Sequence, residues 1–200
     1  TVVRVRGSAY RHAGAKMLVA EDGTTTGNVS GGCLEADVRE VAMQVVTSGA
    51  TVLREYCSGT DQISAWDLGV GCEGVVEVLV ELQTRGWGGG GRAMAAHVPF
   101  VVCTDLAAGG HSCVTATEIA GSADSTVAGL ARELLISGWS GIRAVAGRDV
   151  FFDVFQPPPQ LVIVSAGEDS RHLARFAADV GVRVGVGDHR PAWLGSVRCA

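Results

Sequence analysis

The sequence predicts an α/β protein, with an N-terminal mixed α/β domain followed by the start of a Rossmann-like parallel βαβ domain. Apolar residues make up 47% of the 200 residues and charged residues 18%, which is enough apolar surface for a packed core. Short β-branched runs alternate with segments whose apolar residues recur at the helical period. Three consecutive prolines, residues 157–159, separate a long first part from a short βαβ pattern. We therefore predict domains at residues 1–156 and 160–200, the second incomplete as given.

The first part begins with strand and helix signals. Residues 1–6 and 16–20 predict two paired strands, with a turn at residues 21–23. A helix is predicted from about residue 33 to 46, because its apolar residues fall on one face and Gly49 follows as a stop. Residues 51–56 and 75–82 predict two more strands, and the second is so apolar that we expect it to be central.

The remaining elements follow in the same way. Residues 86–91 hold five glycines and predict a flexible link. Beyond this link we predict a hairpin at residues 98–105 and 112–118, a helix at 125–136, and two strands at 142–146 and 150–155. One βαβ unit follows, with strands at 161–165 and 182–186 and a helix at 169–180.

Composition excludes several classes of function. The net charge of −5 argues against nonspecific binding to nucleic acid, and Lys16 as the only lysine leaves little room for catalytic-lysine chemistry. No apolar run is long enough to span a membrane. The six cysteines form no Cys-x-x-Cys pair, which argues against a zinc ribbon or a disulfide framework. A reducing cytoplasm is the expected location.

The excess of glycine, 28 of 200 residues against a usual share of about 7%, concentrates in loops. The first such loop is Ser30-Gly31-Gly32-Cys33-Leu34-Glu35. Two glycines before a helix let backbone N–H groups converge on an anion, and a cysteine in the first turn would have its thiolate favoured by the helix dipole. Such a cysteine could bind a soft metal or carry sulfur. The alternative is a plain helix cap with a buried thiol.

The second glycine-rich loop is Gly69-Val70-Gly71-Cys72-Glu73-Gly74. Glycines on both sides of Cys72 indicate a backbone that approaches a ligand closely. The alternative is a tight loop or bulge that leads into the next strand.

The third loop lies between the first strand and the helix of the βαβ unit. Ser165, Gly167 and Ser170 occupy the three glycine positions of a dinucleotide-binding turn, so only the glycine needed for close approach to a pyrophosphate is kept. Asp188 stands where a ribose-binding acid is expected, whereas Asp169 and its neighbour Glu168 oppose anion binding. The pattern is compatible with bound NAD(P) and equally with an empty scaffold.

Three ordered motifs resemble the xanthine dehydrogenase accessory protein family (XdhC/CoxI). They are Gly7-Ser8-x-x-Arg11-x-x-Gly14-Ala15-x-Met17, the loop from Ser30 to Glu35, and Leu68-Gly69-x-Gly71-Cys72-x-Gly74. The segment from Pro157 to Pro191 resembles the start of that family's C-terminal Rossmann-like domain. The resemblance implies a chaperone that holds the molybdenum (molybdopterin) cofactor, protects it during sulfuration and hands it to a xanthine dehydrogenase-type molybdenum hydroxylase.

This resemblance and the patterns above define the expected site. We expect cofactor-binding residues at Arg11, Ser30, Gly31, Gly32, Cys33, Glu35, Gly71, Cys72, Gly167, Asp169 and Asp188. Cys33 and Cys72 are the expected molybdenum contacts, because thiolates suit soft metal centres, and we hypothesise that they face one pocket. A cysteine desulfurase is a further expected partner, and unfinished sheet edges favour a homo-oligomer. The competing hypotheses are an NAD(P)-dependent oxidoreductase and an interaction module without cofactor.

Overall fold

A computed structural model describes residues 1–57, 74–83 and 89–190. The chain divides into two compact units, Thr1–Phe155 and Gln156–Ala200. Among the described residues, no helix has both the length and the apolar character needed to cross a membrane. The elements of the first unit are β1 (Val2–Gly7), β2 (Met17–Val19), β3 (Thr25–Gly27), α1 (Glu35–Ser48), β4 (Val52–Cys57), β5 (Gly74–Val80), α2 (Gly90–Ala95), β6 (Phe100–Asp105), β7 (His111–Val114), β8 (Ile119–Ala120), α3 (Ser125–Ser137), β9 (Gly141–Val145) and β10 (Arg148–Phe155).

The first sheet of this unit has the order β1-β5-β4, with both pairs antiparallel. The apolar strand β5 is central, as predicted, and its Val78 is fully buried. One face of α1 packs on this sheet because Val38, Val41 and Val45 fall on its buried side. The helix begins at Glu35 and ends at Ser48, so each end lies two residues later than predicted.

The predicted pairing of the strands near residues 1–6 and 16–20 is wrong. Strand β1 pairs with β5, whereas β2 pairs with β3 across the predicted turn. Backbone hydrogen bonds between Val2 and residues 14 and 15 still join the start of β1 to the segment before β2. The distant partner prevails because pairing with β5 buries Val2 completely against Val78.

The second sheet has the order β8-β7-β6-β10-β9 and is antiparallel throughout. The predicted hairpin, helix and two strands are all present. Helix α3 covers one face of the sheet, with Ala131 packed in the same core cluster as Phe152. The side chain of Asp124 caps α3 by accepting two backbone N–H groups, and Gly138 ends it in the left-handed conformation.

The predicted glycine link at residues 86–91 is partly wrong. Residues 84–88 lie outside the described residues, but Gly90 and Gly91 belong to α2. The turn that starts this helix is at Gly89, whose φ is 133° and whose carbonyl accepts the N–H groups of Arg92 and Ala93. Gly90 is also buried, so this part of the predicted link is a packed helix.

The second unit contains the predicted βαβ pattern. Strands β11 (Gln160–Val164) and β12 (Arg183–Gly187) are parallel, and α4 (Glu168–Asp179) connects them. Ser165 follows β11 with a φ of 123°, a backbone conformation that favours glycine. The turn thus keeps a glycine-type backbone although a serine occupies the position.

Candidate cofactor-binding site

Two loops of the first unit lie side by side. One follows β1 and carries Tyr10 and Arg11; the other precedes α1 and carries Asn28 and Gly31. The ring of Tyr10 lies over Gly31, with its nearest atom 3.4 Å from the position that a Cβ would take. The guanidinium of Arg11 donates a hydrogen bond to the side-chain oxygen of Asn28. The structure therefore places Arg11 beside the loop that carries Cys33.

The hydroxyl of Ser30 organises the loop that precedes α1. Its oxygen accepts the backbone N–H groups of Gly32 at 3.0 Å and Leu34 at 3.1 Å. The thiol of Cys33 lies 3.5 Å from the same oxygen. Ser30 is buried, so its hydroxyl is fixed inside the loop.

The carboxylate of Glu35 closes the same loop from the first residue of α1. It accepts the backbone N–H groups of Val29 at 3.1 Å and Ser30 at 2.8 Å, and the Ser30 hydroxyl at 2.5 Å. Burial is the largest influence on this carboxyl and raises its pKa, but the hydrogen bonds from Ser30 and the backbone outweigh it and leave the pKa of Glu35 below its ordinary value. Glu35 is therefore an ionised structural acceptor.

The expected backbone nest is occupied by the protein itself. The N–H groups of Gly32 and Leu34 point at Ser30 and are not open to an anion. The alternate N–H groups, of Gly31 and Cys33, have no acceptor within the described part of the chain. The structure thus replaces the predicted nest with two separate donors beside the Arg11 cation.

Cys33 lies before the helix and not in its first turn. The N-cap of α1 is Leu34, so the expectation that Cys33 occupies the first helical turn is wrong. The thiol is half-buried and is not in a disulfide. Its neighbours in the chain are the exposed Gly32 and the half-buried Leu34.

Sequence reasoning missed two members of this arrangement, Tyr10 and Asn28. Tyr10 is 68% exposed although its ring covers Gly31, and the Arg11 guanidinium carbon lies 5.7 Å from its ring centroid. The available signal was the aromatic Tyr10 next to Arg11, because an aromatic ring beside an arginine can pack on a glycine such as Gly31.

The second glycine-rich loop is described only at its last residue. Gly71 and Cys72 lie outside the described residues, so the hypothesis of a pocket shared by Cys33 and Cys72 stays a prediction. Gly74 opens β5, and a Cβ at that position would clash with the carbonyl oxygen of Ser8. This position requires glycine because the loop after β1 passes directly over it.

The remaining expected site residues belong to the second unit. Gly167 is the N-cap of α4 without a side-chain cap, and Asp169 lies in the first helical turn. The side chain of Asp188 is buried; its carboxylate accepts the Ala166 N–H at 2.8 Å and pairs with the Arg190 guanidinium at 2.8 and 2.9 Å. These hydrogen bonds, chiefly from the Arg190 side chain, hold the pKa of Asp188 well below its ordinary value. Both carboxylate oxygens are thus engaged by the protein.

No three metal-ligating side chains of the His, Cys, Asp and Glu types cluster within residues 1–57, 74–83 and 89–190. Of the expected site residues, the structure brings together Arg11 and the loop from Ser30 to Glu35. It holds Gly167, Asp169 and Asp188 around a separate turn in the other unit.

Comparisons with known proteins identify chains that are similar to this one. Residues 1–57, which contain Arg11 and the whole Ser30–Glu35 loop, match the model of the XdhC and CoxI family. The chain is 30% identical over 211 residues to a probable xanthine dehydrogenase subunit from Bacillus subtilis (strain 168), covering 98% of this chain and 60% of that protein. It is also 41% identical over 81 residues to the molybdenum cofactor insertion chaperone PaoD of Escherichia coli (strain K12), covering 40% of this chain and 24% of that protein.

A solved structure shares the architecture. A crystal structure described as a xanthine dehydrogenase from Bacillus halodurans superposes with a TM-score of 0.75 at 26% sequence identity, covering 96% of this chain and 58% of that one. Almost the whole of this chain aligns with the Bacillus subtilis relative, but it spans only about 60% of that protein's length.

Proposed function

We propose that this chain, whose residues 1–57 match the model of the XdhC and CoxI family, binds molybdenum cofactor as cargo and supports its insertion into a molybdenum hydroxylase. The name of the Escherichia coli relative, a molybdenum cofactor insertion chaperone, supports this proposal. The observation that carries it is the contact of the Arg11 loop with the Ser30–Glu35 loop, because it gathers a cation, backbone donors and a thiol on one surface.

The residues present fit the chemistry of this cargo. Molybdopterin offers a phosphate, a dithiolene and a polar bicyclic ring. Arg11 would hold the phosphate, because its side chain donates to the neutral amide of Asn28 and pairs with no carboxylate of residues 1–57, 74–83 and 89–190. The N–H groups of Gly31 and Cys33 would donate to oxo or phosphate oxygens, and the Cys33 thiolate suits molybdenum as a soft ligand.

The finer parts of the proposal concern sulfur and partners. We propose that Cys33, alone or with Cys72, stays next to the metal while its sulfido ligand is installed with sulfur from a cysteine desulfurase. The acceptor is proposed to be a xanthine dehydrogenase-type hydroxylase, in line with the names of the two Bacillus relatives.

Cofactor transfer tests the proposal directly. The full-length protein is purified from a host that makes the cofactor, assayed for molybdenum and pterin, and mixed with a hydroxylase that lacks its cofactor. We expect bound molybdenum and recovery of hydroxylase activity on mixing. A protein that carries neither molybdenum nor pterin and activates no hydroxylase would contradict the proposal.

A further inference from the structure

The Arg11 loop, which joins β1 to β2, contacts the second sheet as well as the loop that precedes α1. Ala13 packs against the core cluster that contains Phe151 of β10. Gly14 lies so close to Ser140 that a Cβ at this glycine would be 3.2 Å from the Ser140 side chain. The loop therefore connects the second sheet to the expected cofactor site.

Lys16 fixes the end of the Arg11 loop on the second sheet. Its ammonium donates to a carboxylate oxygen of Asp153 on β10 at 2.9 Å and to the backbone carbonyl of Gly14 at 2.8 Å. The same nitrogen lies 4.4 Å from the ring centroid of Phe155, at the end of β10. One cation thus binds both the loop backbone and a strand of the second sheet.

The carboxylate of Asp153 depends on this cation. Its side chain is only 6% exposed. Burial is the largest influence on its pKa and raises it above the ordinary value, although the Lys16 ammonium lowers it. A buried carboxylate is stable in its ionised form only with a cation beside it, and Lys16 is the only lysine of the 200 residues. Lys16 is therefore the counter-ion of Asp153.

The same loop reaches the expected cofactor site through Arg11, which donates to the loop that precedes α1. Arg11 and Lys16 are only five positions apart in the sequence. The segment between them is also tied to β1, because the Gly14 N–H donates to the Val2 carbonyl at 2.8 Å. A displacement of Lys16 would therefore be transmitted over a short, hydrogen-bonded segment to Arg11.

We infer that Lys16 and Asp153 are positioning residues of the cofactor site, whose ion pair fixes the Arg11 loop so that the Arg11 guanidinium stays beside the Ser30–Glu35 loop. The inference rests on the proposed function and deepens it, because it gives the second sheet a part in holding the cargo. Both residues act through Arg11 and not by touching the cargo. The alternative is an ion pair that stabilises the fold without influence on Arg11.

Variants of the full-length protein separate these two roles. Lys16→Met alone would leave the buried Asp153 carboxylate without its counter-ion, so the test uses the double variant Lys16→Met/Asp153→Leu, which removes both charges together. Lys16→Arg keeps the cation and is the rescue variant. Arg148→Gln is the matched control, because Arg148 also lies on β10 but pairs with Asp105 and Asp124, away from the Arg11 loop.

Two measurements are made on each variant. The first is the exchange rate of the Gly14 and Ala15 backbone amides in the cofactor-free protein, which we expect to rise about ten-fold in the double variant because the loop opens locally. The second is the molybdenum content per chain after purification from a cofactor-producing host, which we expect to fall to about a tenth. Lys16→Arg should restore most of both values, and Arg148→Gln should change neither.

Unchanged exchange at Gly14 and Ala15 in the double variant, or a molybdenum content equal to that of the unsubstituted protein, would overturn the inference. An equal loss of molybdenum in Arg148→Gln would also overturn it, because the loss would then follow the stability of the sheet. An unsubstituted protein without molybdenum would contradict the proposed function instead, and the exchange rates would still decide whether the ion pair holds the Arg11 loop.

Discussion

Two loops of this chain, one in each unit, have a glycine before a helix and a carboxylate that accepts backbone N–H groups of the loop. In the first unit, Glu35 accepts the backbone N–H groups of Val29 and Ser30 together with the Ser30 hydroxyl. In the second unit, Asp188 accepts the Ala166 N–H and is neutralised by Arg190.

The two loops differ in whether the neighbouring arginine is paired with a carboxylate. The Arg190 guanidinium pairs with the carboxylate of its own turn, so its charge is not offered to a phosphate. Arg11 donates to the neutral amide of Asn28 and, among the described residues, has no carboxylate partner. We therefore expect an anion to be bound more readily at the Arg11 loop than at the Arg190 turn.

The largest expected effect in this comparison comes from removing the Glu35 carboxylate. Glu35→Ala leaves two backbone N–H groups and the Ser30 hydroxyl without their acceptor, so we expect the free energy of unfolding to fall by about 2 kcal/mol. Urea denaturation measures this loss. Glu40→Ala, at an exposed position on the same helix, is the matched control. Equal stabilities of the two variants would show that the loop does not depend on Glu35.

A smaller effect is expected at the second carboxylate. Asp188→Asn keeps an oxygen for the Ala166 N–H but loses the ion pair with Arg190. We expect faster hydrogen–deuterium exchange of the backbone amides in α4 and β12, because the turn that joins them loosens. Asp179→Asn, at the exposed end of α4, should leave the exchange unchanged. Unaltered exchange in Asp188→Asn would show that the ion pair does not stabilise this turn.

The backbone of the second loop provides a prediction of opposite sign. Ser165 has a φ of 123°, so Ser165→Gly should stabilise the second unit by about 1 kcal/mol through relief of strain. Slower amide exchange in α4 measures this gain. Ser165→Ala is the control, because it removes the hydroxyl but keeps the strain and should not slow the exchange. Faster exchange in Ser165→Gly would mean that the serine side chain, and not the backbone, determines the turn.

The smallest expected effect is the pH dependence of the Glu35 loop. The folded-state pKa of Glu35 is lowered, so its ionised carboxylate stabilises the fold above the unfolded-state value of about 4.3. This contribution is lost as the pH falls through the lowered pKa. The stability difference between the unsubstituted protein and Glu35→Gln should therefore shrink between pH 7 and pH 3. A difference that is constant over this range would contradict the assignment of an ionised Glu35.

Local signals in the sequence were sufficient for several elements. The apolar period from Val127 to Leu134 and the stop at Gly138 predicted α3, and the structure adds the cap from Asp124. The parallel βαβ unit was equally predictable, because its strands and helix are consecutive and short connections leave little choice of topology.

Long-range contacts and side-chain orientations could not be predicted in this way. The pairing of β1 with β5 depends on burial of Val2 against a strand that lies far away in sequence. Only part of the anion nest predicted at Gly31 and Gly32 is open, because the Ser30 hydroxyl turns inward and takes the N–H of Gly32. The contact of Tyr10 with Gly31 joins two loops that no periodicity connects.

The central claim is that the surface formed by Arg11 and Cys33 holds the molybdenum cofactor. Molybdenum content per chain, measured on full-length Cys33→Ala purified from a cofactor-producing host, tests it most directly. Cys57→Ala, which removes an exposed cysteine at the end of β4, is the matched control. We expect Cys33→Ala to lose most of its molybdenum and Cys57→Ala to keep it. Equal molybdenum content in Cys33→Ala and the unsubstituted protein would contradict the claim.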